Sequence, residues 1–179
     1  MNISEFIKTL NSHSKGIYES GITQMTENNK TVNWLLGLSG GALIFSFNKY
    51  GSINESNLKL ILLQATTFIL IILVGFLYRY TASKFKEYSN SILKMFDFLR
   101  IELELVSDFI EKEVKNEKLD AIFSNYLNGD YFQESDQVTF YNISTKQTRS
   151  KKQTFYLSII AAILMLVEFS CFFIIILKK

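Results

Sequence analysis

The sequence predicts an all-α integral membrane protein with three transmembrane helices and a cytoplasmic helical stalk. Three observations lead there. First, charge is absent between Lys30 and Lys49 and between Lys59 and Arg79, and from Gln153 to Leu177 the sole charge is Glu168. Each run is about 18 to 25 residues long, and ~20 residues rising 1.5 Å each cross a ~30 Å hydrocarbon layer. Second, the runs are apolar all round, whereas a helix on the surface of a soluble protein keeps polar residues on one face. Third, none of the 179 residues is proline, so nothing forces a kink or a stop in a long helix. Averages conceal this pattern: 48% hydrophobic and 20% charged residues, with a mean hydropathy of +0.15, describe a mildly apolar chain. Only the distribution separates spans from polar segments.

Residues 1–30 are predicted to form a cytoplasmic N-terminal amphipathic helix, with Ile3, Phe6, Leu10 and Ile17 on one stripe. A secretory signal would place its apolar core near the start. Here a charged segment comes first, so the following run is expected to be an uncleaved span. Residues 31–78 form a transmembrane hairpin whose spans, 31–49 and 58–78, are joined by "KYGSINESN". Its Gly, Ser and Asn suit a short turn.

Residues 79–152 are expected to be a cytoplasmic helical region with a polar loop. From Phe85 onward, Ile92, Phe96, Leu99, Leu103, Val106 and Ile110 recur at alternating spacings of four and three, with Glu102, Glu104, Asp108 and Glu111 off that line. This is a heptad seam, and it predicts that the second span continues as one helix of roughly 50 to 60 residues. A single amphipathic helix cannot bury its stripe alone. The seam therefore needs partners, either helices of the same chain or copies in an oligomer. Beyond it, "LDAIFSNYLNGDYFQESDQVTFYNISTKQTRSKK" is polar, with a turn signal at "NGD". The piece "QVTFYNI" is β-branched and aromatic, which suits a short strand or an ordered loop. This stretch is expected to be either a cytoplasmic contact site or a solvated linker into the last element, residues 153–179, the third transmembrane helix and C-terminal tail.

Basic residues set the expected orientation. Lys8, Lys15 and Lys30 lie in the lead-in; Arg79, Lys84, Lys86 and Lys94, then Lys146, Arg149, Lys151 and Lys152, flank the central region. Lys49, Lys59 and the two terminal lysines oppose them. The positive-inside rule then puts the N-terminus and central region in the cytoplasm.

Catalytic constellations are not legible, and no enzyme, metal or cofactor is expected. His13 is the lone histidine and Cys171 the lone cysteine, too few for a zinc pair or a disulfide. "GLSGG" lacks the following Gly-Lys-Ser/Thr of a phosphate loop. A net charge of +2 leaves no nucleic-acid footprint. Gly37, Ser39, Gly40 and Gly41 are instead predicted helix-packing residues, because small side chains let helices approach closely in lipid. That packing is equally compatible with one chain or several. Trp34 suits the interfacial aromatic belt. Glu168 is the sharper signal, since an ionisable residue at mid-span costs ~2.5–3.5 kcal/mol on insertion scales and marks function by default. Two readings stand equal here: Glu168, Gln64 and Ser46 form a polar layer facing a bundle interior or a water-filled pore, or a protonated Glu168 makes one helix-to-helix hydrogen bond or snorkels outward.

The layout pairs a span entered by "NNKTVNWLLGLSGGALIF" with a late span entered by "SKKQTFYLSIIAAIL". It resembles the small transmembrane effectors of bacterial antiphage systems, the Pycsar-type effectors most and the SLATT-domain proteins more loosely. It is also broadly similar to membrane accessory proteins encoded beside RNA-targeting CRISPR systems. The resemblance implies an inner-membrane homo-oligomer, dormant until a cyclic nucleotide or a cytosolic protein partner switches it, that then perturbs the lipid bilayer. A membrane anchor that docks a cytosolic partner without opening anything is the alternative.

Overall fold

The computed structural model describes residues 3–50, 55–105 and 119–177. Four helices make up 97% of it, and no strand occurs among the described residues. They are α1 (Ile3–Tyr50), α2 (Glu55–Leu105), α3 (Leu119–Asn128) and α4 (Glu134–Leu177). Val106 and Ile110 of the predicted seam, Asp108 and Glu111 off it, residues 51–54 of the predicted turn, and the two terminal lysines lie outside the described residues.

Helix α2 is 51 residues long, so the second apolar run and the start of the seam are one helix, as its lack of proline allows. The expectation of a strand or loop over "QVTFYNI" is overturned. Residues 137–143 lie inside α4, which runs unbroken from Glu134 into the last apolar run. Glu134 and Asp136 occupy its first turn, where negative charge complements the helix dipole. Local β propensity there loses to tertiary packing, because the helical spacing puts Phe140 in the core at 4% exposure.

The chain divides into two compact units. The first, the polar unit, comprises Met1–Met25 and Lys84–Arg149. Phe96 is its centre. It stacks on Tyr126 with ring centroids 5.2 Å apart and meets Phe140 edge-on at 5.7 Å. Phe6, Leu10, Ile92, Leu99, Ile122 and Phe132 complete the buried cluster, with Leu103 packed against it. The described seam is thus covered by α1, α3 and α4 of its own chain. It is not a free oligomerisation face from Ile92 to Leu103.

The turn between α3 and α4 is built for this core. Asp130 N–H donates to Asn125 O (3.0 Å) and Gly129 N–H to Tyr126 O (3.2 Å), the paired bonds of a Schellman C-cap. Gly129 has φ +80°, and a Cβ there would lie 2.6 Å from Phe140 and 2.9 Å from Phe132. Both conformation and space demand glycine.

The second, the apolar unit, comprises Thr26–Ser83 and Ser150–Lys179. Two helices, α2 and α4, carry runs long and apolar enough to cross a membrane, and only 28% and 22% of those runs is buried. A soluble core helix of that composition would be mostly buried. The run in α1 is less apolar, diluted by Asn33, Ser39, three glycines and Asn48.

Candidate functional site

Close contacts set the register within the apolar unit. A Cβ at Gly40 would lie 3.3 Å from Phe68, and one at Gly75 3.3 Å from Leu36. Residue numbers rise on one helix as they fall on the other, so α1 and α2 are antiparallel. Ser39 hydrogen-bonds Glu168, and Phe45 meets Phe172 at 5.8 Å. These pairings make α1 and α4 parallel.

Polar residues face inward from all three helices. Ser39, Ser46, Gln64 and Glu168 are each 0% exposed, and Thr67 is 4% exposed. Ser39 Oγ donates to Glu168 Oε2, bridging α1 and α4. Thr67 returns its hydroxyl to Leu63 O (2.8 Å) on its own helix, a common refuge for a hydroxyl in apolar surroundings. Glu168 Oε1, both polar atoms of Gln64, and Ser46 Oγ have no hydrogen-bond partner among the described residues.

The sequence suggested one polar layer of Glu168, Gln64 and Ser46; the register corrects this. Glu168 is level with Ser39 and hence with the neighbourhood of Phe68. Gln64 lies one turn further along α2, ~6 Å away, and Ser46 about two turns past Ser39, ~10 Å. The groups form a column along the bundle interior. Ser39, read from sequence only as a small packing residue, is the one that meets the carboxyl. A hydroxyl at helical spacing beside glycines carries no signal that distinguishes packing from hydrogen bonding.

The small-residue patch also splits. Gly40 packs inward on Phe68, whereas among the described residues nothing lies within 4 Å of a Cβ at Gly37 or Gly41. Those two glycines line an open apolar groove of about 590 Å³ with Trp34, Leu38, Phe45 and Phe172.

In the polar unit the notable cluster lies outside the loop that sequence favoured. Lys15 Nζ is 2.7 Å from Asp97 Oδ1. Asn11, 5% exposed, donates to the same oxygen at 3.4 Å and accepts from the Tyr126 hydroxyl at 3.4 Å. Burial alone would raise the Asp97 carboxyl; the hydrogen bonds from Lys15 and Asn11, with the charges of Lys15 and Arg100, outweigh it and hold it below the ordinary carboxylate range. Burial, and secondarily the Asp97 charge, push the Tyr126 phenol up. A shallow groove of about 430 Å³ beside them is lined by Lys8, Ser12, Lys15, Glu19 and Arg100, with Arg100 paired to Glu104 at 3.1 Å. His13 rests edge-on against Phe123, 5.4 Å between centroids.

Among the described residues no three His, Cys, Asp or Glu side chains converge as metal ligands. No protein family, curated protein or solved structure matches the chain.

Proposed function

We propose that the chain is a three-span inner-membrane effector of bacterial antiphage defence. It oligomerises and permeabilises the membrane when a signal reaches the polar unit. The observation that carries this reading is the column of Ser46, Gln64 and Glu168, fully buried and lacking protein partners on most of its polar atoms. A buried, unpaired polar group costs ~1–3 kcal/mol, more when charged. In a bundle whose exterior is apolar, that cost is relieved wherever the helices separate enough to admit water. The packed arrangement is then the dormant state, and hydration of the column favours the open one.

A signal switches such a pair of states only by binding one better than the other. Helices α1, α2 and α4 each pass unbroken from the polar unit into the apolar unit. A ligand or cytosolic protein that repacks the first therefore biases the second with no loop between to absorb the change. The run 31–49 in α1 is the third span of this reading, supported by its packing on the two more apolar ones through Gly40 and Ser39.

Purified protein in dye-loaded vesicles tests it. Leakage is expected from the wild type on activation or overloading, with a large loss in Glu168→Leu, partial retention in Glu168→Gln, and a thermal stability gain in Gln64→Leu. Equal leakage from all variants, or none from any, sinks the permeabilising role; the second result favours the non-conducting anchor.

A further inference from the structure

Among the described side chains the apolar unit is asymmetric at its ends, and we infer that the end carrying Asn33, Arg79 and Thr154 is a girdle that binds anionic phospholipid headgroups. This deepens the membrane reading above and rests on it. Two contacts place the side chains concerned at one level. Thr154 Oγ1 donates to Thr81 Oγ1 at 3.0 Å, aligning α4 with α2. Arg79 donates to Asn33 Oδ1, aligning α2 with α1. Asn33 and Thr81 flank this level directly in sequence.

Each helix brings an aromatic ring there and holds it outward: Trp34 from α1 is 65% exposed, Tyr80 from α2 63% and Tyr156 from α4 62%. Rings of this kind are amphipathic, and their place is the boundary between acyl chains and headgroups. Cations accompany them. Arg79, Lys151 and Lys152 are exposed, and Arg79 also sits 6.0 Å from the Phe76 ring centroid. Lys151 and Lys152 have no acidic partner among the described residues. Glu27 is taken up by Lys30 at 2.8 Å and Glu87 by Lys84 at 2.7 Å.

Charge complementarity and continuity select the occupant. The cations border an exterior that is apolar beyond them, where Leu77, Ile160 and Ile163 are 55%, 45% and 56% exposed. A soluble acidic peptide or a nucleic acid would engage the lysines but leave those residues and the rings in water. An acidic lipid satisfies both, with phosphate on the cations and acyl chain on the aliphatic face. At the opposite end, among the side chains the structure describes, Lys59 is the one cation and the exposed rings are phenylalanines, Phe47 and Phe173, which lack a polar edge.

Trp34 is the single tryptophan, so its fluorescence reports this level directly. The protein is reconstituted into phosphatidylcholine vesicles containing brominated phosphatidylglycerol or, at equal mole fraction, brominated phosphatidylcholine. Quenching is expected to give at least about a threefold relative preference for the glycerol lipid, in line with the attraction of juxtamembrane basic residues to acidic headgroups. The preference falls toward one in 0.5 M salt, where screening shortens its range, and in Lys151→Gln/Lys152→Gln. Equal quenching by the two lipids overturns the girdle while leaving the membrane reading intact. No quenching by either, with no flotation on vesicles, overturns both. The salt titration on the wild type keeps the test decisive even if the double variant folds poorly.

Discussion

The polar and apolar units share three helices and differ in how they treat buried polarity. In the polar unit Asn11 holds Asp97 and Tyr126 together, and Ser14 bonds Leu10 O at 2.9 Å. In the apolar unit Gln64 has neither of its polar atoms paired and Glu168 only one. The cores contrast as well. The polar unit closes over a ring cluster centred on Phe96, whereas the apolar unit closes through small residues at Gly40 and Gly75 and leaves aliphatic side chains such as Leu62, Ile69, Leu73 and Ile163 outward. The lesson concerns solvent. A unit immersed in water gathers its apolar side chains inside. Helices that pack in hydrocarbon have no such drive and meet through close-fitting small residues and sequestered polar groups, and the membrane placement proposed above accounts for the apolar unit in that way.

The contrast breaks most visibly at Phe96. Phe96→Ala removes the ring on which Tyr126, Phe132 and Phe140 converge. A cost of ~3–5 kcal/mol is expected, read as a large drop in the urea midpoint in detergent. A loss under 1 kcal/mol would mean the polar unit lacks the water-driven core described here.

Glycine substitutions sharpen the comparison at intermediate size. Gly40→Leu drives carbon into Phe68 and should cost ~1–3 kcal/mol by overpacking. Gly37→Leu and Gly41→Leu extend into the open groove and should leave monomer thermal stability within ~0.5 kcal/mol. Native mass spectrometry of the last two then reads the oligomer separately: a smaller assembly with unchanged stability assigns that groove to contacts between chains.

The smallest effect expected is a pH dependence confined to the polar unit. The Asp97 carboxyl is held low, so its contribution is present above the ordinary value of 3.8 and lost as pH falls through the lower folded value. Asp97 and Lys15 are both partly solvent-exposed, which screens the pair and keeps the effect modest. Asp97→Asn should flatten the acid limb of the stability curve below about pH 4. An unchanged limb would show that the ion pair contributes nothing measurable.

Much of the fold was legible from the chain. Charge-free lengths, missing prolines and the four–three spacing from Ile92 to Leu103 are local properties, and they are enough to specify long helices and which stripe is buried. The inward placement of Glu168, Gln64 and Ser46 was legible for the same reason, since isolated polar residues in apolar helices avoid the exterior. The helix over "QVTFYNI" was not, because Phe140 is drawn to a core that includes Ile92 and Phe96, more than forty residues earlier, and Phe6 and Leu10 still further away.

By itself, then, the sequence determined long helices over three charge-poor runs and a seam in need of partners, because helix periodicity and hydropathy are written residue by residue. Only the tertiary structure decided that α1, α3 and α4 cover the seam, that Ser39 meets Glu168, and that Gly40 faces in while Gly37 and Gly41 face out. Those outcomes depend on helix register and rotation, which follow from the fit of side chains distant in sequence and are encoded in no single stretch of it.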